Sequence, residues 1–209
     1  MNRLPLIDVV LATLCQCGPV MMIPVFPLNA HVFPEGRLSL RIFEARYLRM
    51  VRERAGRPDG FAMGMLVDGE AGGDVLDLAT LVNIVDFDQL QDGLLGITVE
   101  GVELVRLSQM RTDADGLRWA RYESVSIWAD AAPGEDDGIK PALLRLFKEY
   151  PEIGDLYPGA ERRPLDWCML RWLELLPIDA KAKAHILTRP SPEMALALIH
   201  SIIDRSDPS

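Results

Sequence analysis

At 209 residues, about half of them apolar and a quarter charged, the chain is long enough for one large or two small domains with real cores. Its net charge of −9 argues against non-specific nucleic-acid binding, which relies on phosphate neutralisation by Lys and Arg. No apolar run approaches the roughly 20 residues of a membrane-spanning helix, and Cys15, Cys17 and Cys168 are too few and scattered for a disulfide framework, so a reducing cytoplasm is the expected location.

Residues 1–21 read as a leader outside the core fold. Arg3 and the apolar run after it are signal-like, but Asp8 interrupts the run and no small-x-small cleavage site follows; Met21 or Met22 is the expected natural start. Ile23 to Phe26 is a short apolar strand closed by Pro27, with Pro24 at an edge or first position. Pro34-Glu35-Gly36 is a turn. Leu38, Leu40 and Ile42 then alternate with Arg37, Ser39 and Arg41, as in a strand buried on one face. From Glu44 the period becomes helical, with Phe43, Tyr47, Met50 and Val51 as the expected core face and Arg46, Arg49, Arg52 and Glu53 opposite.

Charge is unevenly placed. Arginines 37, 41, 46, 49, 52, 54 and 57 precede a segment, 58–105, that holds no Lys or Arg and many carboxylates. Pairing between the two, or plain solvation, is the expected fate of the arginines. Phe61 to Val67 predicts a strand covered on both faces, and Asp68 to Asp74 a glycine-rich acidic loop. Val75 to Asp88 is a long strand, which a Gln91-Asp92-Gly93 hairpin joins to an extended run from Leu94 to Leu107. Asp115-Gly116 repeats the hairpin signal before a last strand, Leu117 to Trp128. Short turns between several strands suggest a closed or half-closed antiparallel barrel. Residues 129–138 are a linker by composition. The remainder is helical: Lys140 to Tyr150, Pro164 to Leu176, a helix capped by Asp179 that runs to Thr188, and one started by Ser191-Pro192-Glu193.

The stretch Phe26-Pro27-Leu28, Phe33-Pro34, Leu40, Ile42-Phe43-Glu44, Arg46-Tyr47 resembles the opening of the Lon amino-terminal domain, the substrate-binding domain of ATP-dependent Lon proteases. Ile84, Asp92-Gly93 and Ile97-Thr98-Val99-Glu100-Gly101 extend the likeness, as do Leu175-Leu176-Pro177 and Ile186-Leu187. The sequence departs at Glu35, which intervenes before Gly36, at Ala45, where the family often has proline, and at Val105-Arg106, where it has an arginine-phenylalanine pair. The resemblance implies an α+β fold: a β-rich PUA-like pseudobarrel with an inserted helix over 22–128, the linker, then a C-terminal helical bundle over 139–209.

It also implies a non-catalytic module that binds unfolded polypeptide or a partner protein, as an adaptor or substrate holder, with Arg41, Glu44 and Arg46 shaping its recognition surface. Glu44 and Arg46 have a plainer reading as a helix-start carboxylate and its tie to a nearby loop. The chain lacks a G-x-x-x-x-G-K-[ST] loop, the Lon peptidase serine stretch, H-E-x-x-H and G-x-S-x-G. No cofactor or metal is implied: Cys15, Cys17 and His31 would need a fourth zinc ligand, and His31, His185 and His200 are isolated. Two alternatives remain, a PUA-like RNA-binding protein and a small hydrolase using Asp86 and Asp88 as a carboxylate pair.

Overall fold

The computed structural model describes residues 22–58, 60–67, 73–129 and 138–206; the leader, most of the 129–138 linker and most of the 68–74 loop lie outside them. The first part holds strands β1 (Met22–Leu28), β2 (Arg37–Ile42), β3 (Phe61–Leu66), β4 (Val75–Gln89), β5 (Leu95–Thr112) and β6 (Arg118–Val125), with helix α1 (Ala45–Arg54) between β2 and β3. The strand order is β2-β5-β4-β3-β1-β6, and β5 also pairs with β6. Length is what allows this closure. The 18-residue β5 pairs β2 and β4 along its first half and β6 from Leu104 to Thr112 along its second. Five strands therefore form a ring, and β2 is an added strand beside β5.

Two expectations about the strands are corrected. The sheet is mixed rather than antiparallel, because β1 and β3 run parallel from Val25↔Ala62 to Leu28↔Met65; β2 and α1 supply the crossover that a parallel pair needs. Nor is β1 an edge strand closed by Pro27. Its first half pairs with β6 (Met22↔Arg121 to Val25↔Arg118) and its second half with β3, through Pro27↔Gly64. Each proline lies where only one neighbour is paired, so its missing N–H can face the unpaired side.

Alternate residues of β1 and β3 enter different cores, Val25 and Ala62 one, Phe26, Phe61 and Met63 the other, so both faces of these strands are covered. Helix α1 lays Tyr47, Met50 and Val51 against the second. Phe43, expected in that core, is instead 65% exposed. Ile42 closes β2 pointing inward, the alternation turns the next side chain outward, and the helical face begins only later.

Both Asp-Gly signals form hairpins of one design. Gly93 N donates to Leu90 O at 2.8 Å and Leu90 N to Leu94 O at 3.0 Å; Gly116 N donates to Asp113 O at 2.9 Å and Asp113 N to Leu117 O at 2.8 Å. Only the glycines have positive φ, +80° and +84°, so these are longer loops with a left-handed glycine rather than two-residue turns. In each, the aspartate's Oδ1 accepts from the backbone N–H two residues on, at 3.1 Å.

The second part contains α2 (Ile139–Glu149), a one-turn α3 (Pro151–Gly154), a 3-10 turn at Ala160–Arg162, α4 (Leu165–Leu175), α5 (Ala180–Leu187) and α6 (Glu193–Ser206). Asp179 caps α5 as expected, its Oδ1 accepting from Ala182 N at 2.8 Å. The short α3 and the 3-10 turn have too few residues to show a periodicity in the sequence. The helical core is continuous with the strands: Phe33, Met65, Leu78, Leu104 and Trp128 share one buried cluster with Leu143, Trp167, Leu173 and Leu187.

Candidate functional site

The three predicted recognition residues separate into two places. Arg41, on the outer face of β2, lines a shallow hollow of about 350 Å³ with Ser39, Asp86, Asp88, Gly96 and Thr98, and forms an ion pair with Asp92. The strand register explains the gathering: Ser39, Thr98 and Asp86 lie in one row, and Arg41, Gly96 and Asp88 in the next. Glu44 and Arg46 sit at the start of α1 and bind each other at 2.6 Å. Arg46 Nη1 also donates to Gly116 O at 3.2 Å, which ties the helix start to the β5–β6 hairpin.

Arg37, Arg49 and Arg54 of this segment are engaged too. Arg37 pairs with Glu100 at 2.7 Å and Arg49 with Asp113 and Asp115 at 2.8 and 2.9 Å. Arg54 is buried, with its guanidinium over the Trp119 ring. A basic surface for phosphates would need these cations unpaired. The carboxylates that hold them come from the acidic segment and the second hairpin.

Asp86 and Asp88, by contrast, form no ion pair among the described residues. They lie beyond a bulge at Ile84/Asp86 on the outer half of β4. There β4 has lost β3, whose last partner is Val82, and keeps only β5. Residues 83–89 are thus an open sheet edge among the described residues. Two large apolar side chains are exposed on it, Val85 (46%) and Phe87 (50%). The sequence signal for this surface was an apolar residue between two carboxylates in a run that outlasts its neighbouring strand.

A second concave region lies where strands meet helices. Hollows of about 260 and 310 Å³ share Glu35 and Trp167, and Glu35 pairs with Arg163. Tyr157 Oη accepts from Arg37 N at 2.8 Å and donates to Arg37 O at 3.2 Å. Burial pushes the Tyr157 hydroxyl up to about 12. Beneath lies a buried charge cluster. Arg171 binds Glu174 at 2.6 Å and donates to Pro34 O at 3.0 Å, Phe33 N donates to Glu174 at 2.5 Å, and Lys183 Nζ donates to Glu174 O at 3.1 Å. Burial raises the Glu174 carboxyl to about 7 against the pull of Arg171, lowers Lys183 to about 8, and with the Lys183 charge lowers His31 to about 4. Arg171 and Glu174 spend their hydrogen bonds holding the Phe33–Pro34 backbone of the 33–36 turn onto α4, which is a structural use. The turn itself has Glu35 at φ +61°, the third position of a type II turn, where glycine is usual. That is the position at which the sequence departs from the family pattern.

His185 Nε2 lies 2.7 Å from Arg189 Nη2, four residues on, and His200 lies on α6, so the structure does not bring the histidines together. Among the described residues no group of three or more His, Cys, Asp or Glu could hold a metal ion; Cys15 and Cys17 lie outside them. No described helix is long and apolar enough to cross a membrane.

The family profile for the ATP-dependent protease La (LON) substrate-binding domain matches residues 22–205. A Lon N-terminal domain protein from Xanthomonas campestris superposes with a TM-score of 0.62 at 24% identity, covering 87% of this chain and 98% of that one. The N-terminal domain of a Mycobacterium avium complex Lon protease gives 0.53 at 12% identity, covering 86% and 96%. No curated protein matches.

Proposed function

The chain belongs to the LON substrate-binding domain family, and from that premise we propose that it is a non-catalytic, cytoplasmic polypeptide-binding module, an adaptor or substrate holder for unfolded or partner protein. One observation carries the choice of surface: Val85 and Phe87 are exposed on an open sheet edge whose two carboxylates no arginine neutralises. Neighbouring apolar side chains exposed together at a surface mark interaction sites when they form one patch, whereas single ones are ordinary. The junction hollows are a weaker candidate, because Glu35, Arg37, Glu100, Tyr157 and Arg163 already satisfy one another. The carboxylate-pair reading is weaker still. Asp86 accepts from the Phe87 N–H, and the hydroxyls beside it, those of Ser39 and Thr98, lie 3.4 Å from each other, so the described residues show no carboxylate–hydroxyl hydrogen bond of the kind that acid–base work requires.

The test is fluorescence anisotropy with labelled, unfolded casein against the same probe with folded competitor proteins. Saturable binding of the unfolded chain, weakened in a Val85→Ser/Phe87→Ser variant, is the expected result. No binding, or equal binding of folded and unfolded probes, would remove the reading.

A further inference from the structure

Building on that reading, we propose that the outer half of β4, residues 83–89, takes an extended peptide as an added strand, and that it selects one in which basic residues flank an apolar one. The backbone geometry comes first. Leu90 N donates to Leu94 O across the hairpin. In an antiparallel ladder successive residues turn their N–H and C=O to opposite sides. Counting back from Leu90, Asp88 and Asp86 face β5, while Phe87 and Gln89 face outward, where the described residues supply no strand. The Phe87 N–H confirms the parity. Its partner is the Oδ1 of Asp86, at 2.9 Å, a carboxylate standing where a neighbouring strand would put a carbonyl.

The other open strand, β2, is treated differently. At Arg37 the Tyr157 hydroxyl occupies both the N–H and the C=O, so the first outward position of that edge is closed from within the fold. On β4 the plug is a side chain that can swing away. When a peptide carbonyl takes the Phe87 N–H, the Asp86 carboxylate is released and joins Asp88 on one face of the enlarged sheet, with Phe87 on the other. Residues directly opposite on paired strands share a face. A peptide that adds here therefore presents cations opposite Asp86 and Asp88 and an apolar side chain opposite Phe87. Charge complementarity sets the choice: Asp92, Glu100, Asp113 and Asp115 each hold an arginine, whereas Asp86 and Asp88 do not. A bulge and a charged side chain can also blunt an edge against self-association, but blunting alone does not call for an exposed phenylalanine and valine.

The experiment uses the full chain and a labelled seven-residue peptide alternating lysine with valine, beside a glutamate–valine version and lysine–valine peptides N-methylated on one or the other set of alternate amides. The lysine peptide is expected to bind, the glutamate peptide not, and one of the two methylation patterns to abolish binding. Hydrogen exchange should slow at Phe87 and Gln89, and Asp86→Lys/Asp88→Lys should weaken the lysine peptide by about tenfold or more and admit the glutamate one. If unfolded casein binds while the lysine peptide fails, or while the charge-reversed variant keeps its preference, the strand-addition site is overturned and the polypeptide-binding reading stands. If neither probe binds, both fall. Protection of Phe87 and Gln89 in the protein alone that disappears on dilution would show that a second copy takes the edge, which also overturns the proposal.

Discussion

Glu174, Lys183 and His31 lie with Arg171 around one turn, and the opposed shifts of Glu174 and His31 make a pH prediction. Glu174, raised from 4.5 to about 7, holds a proton in the folded chain over a range where the unfolded chain has lost it, so stability falls as pH rises through that range. His31, lowered from 6.5 to about 4, lacks a proton that the unfolded chain holds, so stability rises with pH between those values. Between pH 4.5 and 6.5 the two slopes oppose, and the stability of the natural sequence should be nearly flat there. His31→Gln leaves the Glu174 slope alone, and urea unfolding should then show stability falling steadily from pH 4.5 to 7. A variant whose profile stays as flat as the natural one would show that the Arg171 charge keeps Glu174 ionised throughout. The Arg171–Glu174 pair was within reach of the sequence, since they are the one basic and one acidic residue, three apart, in the otherwise apolar stretch from Trp167 to Leu176. Phe43 was not, because its exposure depends on where β2 ends and α1 begins.

At the level of elements, the start of the β2 edge is closed by a single hydroxyl from the helical part. Tyr157→Phe removes it and leaves the N–H and C=O of Arg37 without their partner, at a cost of about 1–3 kcal/mol if water does not reach them. Denaturant unfolding would measure this, and an unchanged midpoint would mean that water replaces the hydroxyl. The elements themselves were largely legible. Asp-Gly pairs marked both β hairpins, Asp179 and Ser191-Pro192-Glu193 marked two helix starts, and the double-apolar pattern of β3 marked burial on both faces. The parallel pairing of β1 with β3 was not, because local patterns give a strand's faces but not its neighbours. Nor was the open edge of β4: that it outlasts β3 is a matter of register, which only the closed ring sets. The glycine of the Val99-Glu100-Gly101 motif gains its reason in the same way. Glu35 N donates to Gly101 O and Gly101 N to Gly36 O, at 2.7 and 2.8 Å, so the 33–36 turn lies directly on Gly101, and a Cβ there would overlap the backbone of Phe33.

For the molecule as a whole, the question is whether the strand-rich part and the helical part, expected as separate subdomains on either side of a linker, behave as two units. Phe33, Met65, Leu78, Leu104 and Trp128 are buried in the cluster that the helices build. Each such side chain contributes roughly 1.5–3 kcal/mol on burial, so together they approach the ~5–15 kcal/mol that holds a domain folded. The Arg171–Glu174 grip on the 33–34 backbone and the bond from Trp128 Nε1 to Ile186 O at 3.2 Å add polar ties that open water would have to replace. Separating the parts would thus cost nearly as much as unfolding either one, and we expect a single cooperative transition. Native-state hydrogen exchange against denaturant is the measurement. Amides of β4 between Ala79 and Val82 and of α4 between Met169 and Leu173 should converge on one opening free energy. If the α4 amides open at a distinctly lower energy while the β4 amides stay protected, the helical part is an independent unit held only loosely to the barrel.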